Sequence, residues 1–202
     1  GERVLVMEPR FGELACDLVN AYRRSGFVPH MTAAVFDERY LPDTNYIFDE
    51  TMTTACIADV AAQCAGQRYD VITAGCYLDE LSTTDVVADL ERLYALLAPG
   101  GIIILPVRNP GSAYELDCMM HAGTRDVYEP KALRYAVIPY RQLLERLHAH
   151  PLLHQYRVPS ILMKADEELV RRMKPLLRHD EDTPADLELS LSIRMFFLGI
   201  SK

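Results

Sequence analysis

The sequence predicts a doubly wound α/β domain whose mostly parallel sheet has seven strands. Apolar segments of strand length alternate at least three times with amphipathic segments of helical spacing, and this order implies right-handed crossovers with helices on both faces of a sheet. The segment "IIILPV" (102–107) is apolar throughout, which is typical of a parallel strand covered on both faces. The last segment, 189–202, alternates in polarity, so we expect it to join the sheet antiparallel.

The first half of the chain begins with a short apolar strand and an amphipathic helix. Gly26 follows two arginines and is a typical helix stop. Thr53 or Thr54 is expected to cap the second helix. The predicted elements, in order, are strand 4–7, helix 12–24, strand 30–36, strand 45–50, a helix that ends at Gly66, and strand 68–75.

The second half begins with the clearest helix, whose apolar positions form one stripe before a Pro-Gly-Gly stop. Pro139 lies in the first turn of a later helix, where proline is tolerated. The segment 109–136 is irregular and predicts an insertion above the sheet edge. The predicted elements, in order, are helix 83–97, strand 102–107, helix 138–153, strand 154–158, an exposed helix 166–179, and strand 189–202.

Composition and charge exclude several classes of function. The formal net charge of -8 and the pI of about 5.2 argue against nucleic acid as the main partner, because phosphate binding requires clustered cations. No apolar segment is long enough to span a bilayer, and we expect no membrane partner. The five cysteines are widely spaced without a C-x-x-C pair, so we expect free thiols and an intracellular, cytoplasmic location.

Common catalytic and metal motifs do not occur in this sequence. There is no Gly-x-Ser-x-Gly elbow, P-loop or His-Glu-x-x-His segment. His148, His150 and His154 are close in sequence, but Pro151 interrupts their helix and their spacing does not suit a metal site. We therefore expect no metal.

The middle of the chain resembles class I S-adenosylmethionine (SAM)-dependent methyltransferases. The segment "YDVITAGCYLDELSTTDVVADLERLYALLAPGGIIILPVRN" is similar to the family's fourth strand, following helix, Leu-Leu-x-Pro-Gly-Gly join and fifth strand. Its "AGCYLDEL" loop is closest to small-molecule enzymes of the ubiquinone-biosynthesis type. The resemblance implies a Rossmann-like methyltransferase fold, with SAM as cofactor. The matching positions are 69–71, Leu78, Leu81, 96–101 and Asn109.

The loop after the first strand departs from that family, whose members have an acidic residue followed by three alternating glycines. One alignment places Gly12 at the last glycine, with Val6 at the acidic position. The other places Glu8 at the acidic position and Gly12 at the middle glycine, with Arg10 and Leu14 at the remaining two. Either alignment replaces two of the three glycines. Glu8 then binds the cofactor's amino group or pairs with Arg10.

The resemblance implies cofactor-binding residues elsewhere in the chain as well. Asp37 or its neighbour Glu38, after the second strand, would bind the ribose hydroxyls, although an acid there is also a common turn former. Gly75, Cys76 and Tyr77 would face the adenine or the methionine sulfur. Gly12 either supports close approach of the cofactor or only starts the first helix.

Glu80 and His121 are the candidate catalytic residues, each as an optional general base. Glu80 follows the fourth strand, where a carboxylate can equally cap the next helix. His121 lies in the irregular segment, whose aromatic side chains either line a substrate pocket or pack the insertion onto the sheet.

Two functions remain open from the sequence. One is an active SAM-dependent methyltransferase that acts on a small molecule. The other is a catalytically inactive domain that keeps the fold, has lost SAM, and serves as a structural or protein-interaction module for a protein partner or neighbouring domain. Residues 1–202 are expected to form a single domain of a larger protein.

Overall fold

A computed structural model describes most of the chain. The described residues are 1–10, 12–44, 46–76, 78–81, 85–109, 112–113, 117, 140–158, 162–164, 167–173 and 193–202. The predicted insertion at about 109–136 therefore lies almost wholly outside the described residues.

Strands and helices alternate through the first half of the chain, as the sequence predicts. The strands are β1 (Arg3–Met7), β2 (His30–Val35), β3 (Glu50–Thr53), β4 (Tyr69–Ala74), β5 (Leu97–Arg108), β6 (Tyr156–Arg157), β7 (Leu162–Lys164) and β8 (Ile193–Ser201). The helices are α1 (Glu13–Arg24), α2 (Leu41–Thr44), α3 (Ile57–Gln63), α4 (Leu78–Leu81), α5 (Val86–Leu96), α6 (Tyr140–Ala149) and α7 (Glu167–Met173). A short 3-10 helix, Glu38–Tyr40, precedes α2.

The strands form one mixed sheet. Its order is β3-β2-β1-β4-β5-β8-β6, and β7 also pairs with β8. The first five strands in this order are parallel, whereas β8 is antiparallel to β5. Because β6 and β7 pair with different parts of β8, they share its outer edge and the sheet is seven strands wide. The predicted doubly wound, seven-stranded α/β fold is confirmed.

Two apolar cores cover the two faces of the sheet. Side chains of β1 alternate between them: Leu5 and Met7 lie in the larger core, and Val4 and Val6 lie in the smaller one. The larger core also contains the buried faces of α3, α5 and α6, and α1 packs against the smaller core. Helices on both faces leave only the strand ends open, and ligands of open α/β sheets bind at the carboxyl ends.

The third strand and the helix after it begin later than predicted. The Ile47 and Phe48 amides donate to the Thr44 carbonyl, the Asp49 amide donates to the Met31 carbonyl of β2 at 2.9 Å, and β3 begins at Glu50. Neither Thr53 nor Thr54 caps the next helix. Cys56 is the N-cap of α3, and the Thr54 hydroxyl donates to the Cys56 carbonyl. The apolar Phe48 packs into the smaller core from a turn, which is why its segment resembles a strand.

No helix among the described residues is long and apolar enough to cross a membrane.

Candidate functional site

The candidate site lies where the carboxyl ends of β1 and β4 meet. In the order β3-β2-β1-β4-β5, chain progression reverses between β1 and β4. Such a reversal leaves a crevice above the sheet, because the connections on its two sides run in opposite directions. A ligand held at this edge would therefore contact the residues that follow β1 and β4.

Glu8 is the first residue after β1 and joins this strand to the end of β2. Its Oε2 accepts hydrogen bonds from the amides of Phe36, at 2.7 Å, and Asp37, at 3.3 Å. Only 7% of Glu8 is exposed, and this burial raises the pKa of its carboxyl, although the two amides act in the opposite direction. Val6, which the other alignment places at the acidic position, lies inside β1 and in the smaller core. The choice between the two alignments stays a prediction.

The backbone after β1 repeatedly enters the left-handed region. The φ angles are 41° at Glu8, 52° at Arg10 and 79° at Gly12. Left-handed backbone is natural for glycine and strained for other L-residues. The loop thus keeps, at Arg10, a conformation suited to the glycine that the resemblance implies there.

Gly12 begins the first helix. Its amide donates to the Pro9 carbonyl at 3.0 Å, and its carbonyl accepts from the Cys16 amide at 2.8 Å. A Cβ at this position would lie 2.5 Å from Cδ1 of Ile47. The Ile47 side chain could move aside, and the φ of 79° is the stronger structural reason for glycine here. The cofactor-binding role of Gly12 stays a prediction.

Gly75 allows the loops after β1 and β4 to touch. Its amide donates to the Met7 carbonyl at 2.9 Å, and a Cβ would lie 2.5 Å from the carbonyl oxygen of Glu8. The next residue, Cys76, is buried. Gly75 and Cys76 thus lie beside Glu8 and Arg10, as they must if all four residues belong to one site. Their contact with a cofactor stays a prediction.

The Arg10 side chain crosses the crevice to Glu80 in α4. Its guanidinium pairs with Oε2 of Glu80, and Oε1 of the same carboxylate accepts from Arg108 at 2.5 Å. Arg108 ends β5, so Glu80 connects the loop after β1 to the end of β5. Of the two alternatives raised from the sequence for Glu8, the pairing with Arg10 is not the one observed, because Arg10 pairs with Glu80. Both Glu80 oxygens already accept hydrogen bonds, so a role as general base requires this cluster to open.

Asp37 serves as a turn former. Its Oδ1 accepts from the Arg39 amide at 3.1 Å and caps the 3-10 helix. The Arg39 guanidinium also binds the carboxylate, with Nε 2.9 Å from Oδ1 and a terminal nitrogen 2.5 Å from Oδ2. Asp37 therefore forms the turn, which is the alternative role raised from the sequence, and its binding to the ribose stays a prediction.

A shallow, open depression lies beside Asp37, between the ends of β2 and β3. The residues that line it come from the two strand ends and from α3: Phe36, Glu38, Thr53, Thr54, Ala55, Asp59 and Gln63. Of these residues the sequence interpretation raises only Glu38 for a site, as the alternative to Asp37, and it misses the others and Arg108. Arg108 could have been found from the sequence, because it is a charged residue that directly follows the apolar segment 102–107.

Two of the predicted site residues, Tyr77 and His121, lie outside the described residues. Within the part of the chain that the structure describes, no group of three or more His, Cys, Asp or Glu side chains is arranged to hold a metal ion.

Comparison with solved structures identifies the fold. No protein-family model matches the sequence, and no curated protein matches it. The structure is similar to that of the CurJ carbon methyltransferase, with a TM-score of 0.59 and 16% identity; the alignment covers 100% of this chain and 48% of that one.

Two further similar structures contain S-adenosylhomocysteine (SAH). One is the plantazolicin methyltransferase BamL, with a TM-score of 0.62 and 12% identity over 99% of this chain and 77% of that one. The other is magnesium protoporphyrin IX methyltransferase from Synechocystis, with a TM-score of 0.58 and 12% identity over 100% of this chain and 74% of that one. At these identities the likeness shows that this chain has the fold of SAM-dependent methyltransferases.

Proposed function

We propose that this chain is a SAM-dependent methyltransferase domain that acts on a small molecule. The observation that carries the proposal is the loop after β1, which keeps left-handed backbone at Glu8, Arg10 and Gly12 beside the crevice where the sheet order reverses. Similar structures named for the methylation of plantazolicin and magnesium protoporphyrin IX support a small-molecule acceptor.

The residues around the crevice fit SAM in part. Glu8 fixes the turn after β2 through two amides, which places Asp37 and the nearby depression on one side of the crevice. Gly75 permits the close contact of the two loops that would hold the methionine part of the cofactor. Tyr77 and Cys76 would complete the cofactor site as the resemblance implies.

Methyl transfer places modest demands on the protein. SAM supplies an activated methyl group, and the chain's task is to hold the acceptor in line with it. Glu80 and His121 are retained as candidate bases, and an acceptor that is already nucleophilic needs neither.

A second candidate function is an inactive domain that serves as a structural or protein-interaction module. Two contacts favour it. The Arg10 side chain lies across the crevice on Glu80, and the Asp37 carboxylate is bound by Arg39. Under this alternative the chain binds a protein partner or a neighbouring domain and no cofactor.

Titration calorimetry with SAM and SAH separates the two candidates. We expect micromolar binding to the unchanged chain and clear weakening in Asp37→Ala. Asp37→Asn retains an oxygen that can cap the 3-10 helix, so weakening in this variant as well excludes simple loss of the turn. Asp17→Ala is the matched control, because Asp17 lies on the exposed surface of α1.

Absence of binding at millimolar SAM and SAH, in a chain that is folded by circular dichroism, would overturn the methyltransferase proposal. The second candidate would then stand, and a protein partner would be the ligand to identify.

A further inference from the structure

We propose that Arg10 is a carboxylate-binding residue of the candidate site, and that its guanidinium exchanges Glu80 for the carboxylate in the amino-acid part of the cofactor. This inference rests on the proposed methyltransferase function. Arg10 is the residue that departs most from the glycine pattern of the loop. Under this proposal its long side chain binds the cofactor and does not block the site.

Arg10 lies where a ligand can reach it. It follows β1 and Glu80 follows β4, at the edge of the sheet where the strand order reverses and where open α/β sheets bind their ligands. The Arg10 side chain is 39% exposed, whereas that of Glu80 is 18% exposed. The guanidinium is therefore the more accessible half of the pair, and a ligand approaches it from solvent.

The exchange leaves no carboxylate without a partner. Glu80 binds Arg10 through Oε2 and Arg108 through Oε1, so it keeps Arg108 when Arg10 turns away. A ligand carboxylate offers Arg10 the same planar pair of oxygens that Glu80 offers, and guanidinium groups bind such pairs with defined geometry. Glu80 thus holds the guanidinium in place until a carboxylate ligand replaces it.

The backbone at Arg10 supports a functional reason for this residue. Its φ of 52° favours glycine, yet the position carries one of the longest side chains. Strained backbone of this kind is typically retained where the residue serves a site. Structural pairing alone does not account for it, because a partly exposed ion pair contributes little to stability.

The test compares SAH with 5′-methylthioadenosine, which shares the nucleoside and thioether of SAH but lacks its amino-acid part. We expect Arg10→Gly to weaken SAH binding by about tenfold or more and to leave methylthioadenosine binding within about twofold, because only SAH carries the carboxylate. Arg10→Met keeps the length of the side chain without its charge and should behave like Arg10→Gly.

Glu80→Gln and Arg23→Ala complete the design. Glu80→Gln removes the charge that competes for Arg10, so SAH should bind at least as tightly as to the unchanged chain. Arg23→Ala changes an exposed arginine of α1 and should alter neither ligand's affinity.

Three results would overturn the inference. If Arg10→Gly binds SAH equally well or more tightly, the guanidinium is a bystander or an obstruction, and the methyltransferase proposal stands without it. If both ligands weaken equally, Arg10 shapes the loop and does not bind the carboxylate. If neither ligand binds the unchanged chain or any variant, the proposed function fails together with the inference.

Discussion

At the scale of single residues, Arg10 combines an unfavourable backbone with a favourable ion pair. The left-handed region costs a non-glycine residue about 1 kcal/mol, and a partly exposed ion pair such as Arg10–Glu80 returns less than about 1 kcal/mol. A substitution that removes the Arg10 side chain but keeps the strained backbone should therefore change the free energy of unfolding differently from a substitution to glycine, which also relieves the strain.

We expect Arg10→Ala to be less stable than Arg10→Gly by about 1 kcal/mol, because both variants lose the ion pair and only glycine relieves the strain. Urea unfolding of the two variants beside the unchanged chain measures the difference. Equal stability of the two variants would mean that the loop relaxes to an ordinary φ when the Arg10 side chain is lost.

The sequence predicts the position of Glu8 better than it predicts the partners of Arg10. Glu8 is predictable because it directly follows an apolar strand, and the structure gives it a buried position between β1 and β2. The Arg10–Glu80 pair joins residues 70 positions apart, so it depends on the order of strands in the sheet. The pairing of Asp37 with Arg39 is local, and a turn former in that position could be anticipated.

At the scale of elements, the start of α5 depends on Asp85. Its Oδ1 accepts from the Val87 amide at 2.9 Å, and both of its oxygens accept from Arg146 of α6 at 2.8 Å. The Arg146 hydrogen bonds, with those of the helix amides, hold the pKa of this carboxyl below its usual value. One side chain thus caps α5 and joins it to α6.

Asp85→Ala is expected to lower the free energy of unfolding by about 1 kcal/mol at neutral pH, the usual effect of losing an N-cap. A depressed pKa in the folded chain means that the contribution is present above about pH 4 and is lost as the pH falls through the folded value. Urea unfolding at neutral and acidic pH should show the difference between the unchanged chain and Asp85→Ala narrowing in acid.

Arg146→Ala provides the control for this comparison, because it removes the partner on α6 and leaves the cap in place. Its effect should be smaller than that of Asp85→Ala, since an exposed ion pair contributes little. If Arg146→Ala is the more damaging variant, the contact between helices, not the cap, is the main role of Asp85.

Element boundaries follow from local signals where the signals are unambiguous. The helix over 140–149 and the last strand are recovered because the spacing of their apolar residues is unambiguous. The third strand is displaced because Phe48 is apolar and buried within a turn, and periodicity alone does not separate these cases. The pairing of both β6 and β7 with one edge of β8 is a tertiary arrangement that short segments do not predict.

At the scale of the whole molecule, protection from hydrogen exchange should decrease from the centre of the sheet to its edge. β1 pairs with β2 and β4, and its residues Val4 to Met7 are fully buried, so its amides exchange only when the domain unfolds. β6 has two residues and, within the part of the chain that the structure describes, pairs with β8 alone, so it opens first. Exchange measured by mass spectrometry on peptides from β1 and β6 tests this order.

Cofactor binding should then slow hydrogen exchange in the central strands, because their amides exchange only when the whole domain unfolds. A ligand that binds only the folded chain raises the free energy of unfolding by about 2.7 kcal/mol at about a hundred times its Kd. SAH at that excess should therefore slow exchange in β1 about a hundredfold and leave the locally opening β6 nearly unchanged. If β1 exchanges at the same rate with and without SAH, the ligand does not bind the folded domain, and the crevice beside Glu8 is not a cofactor site.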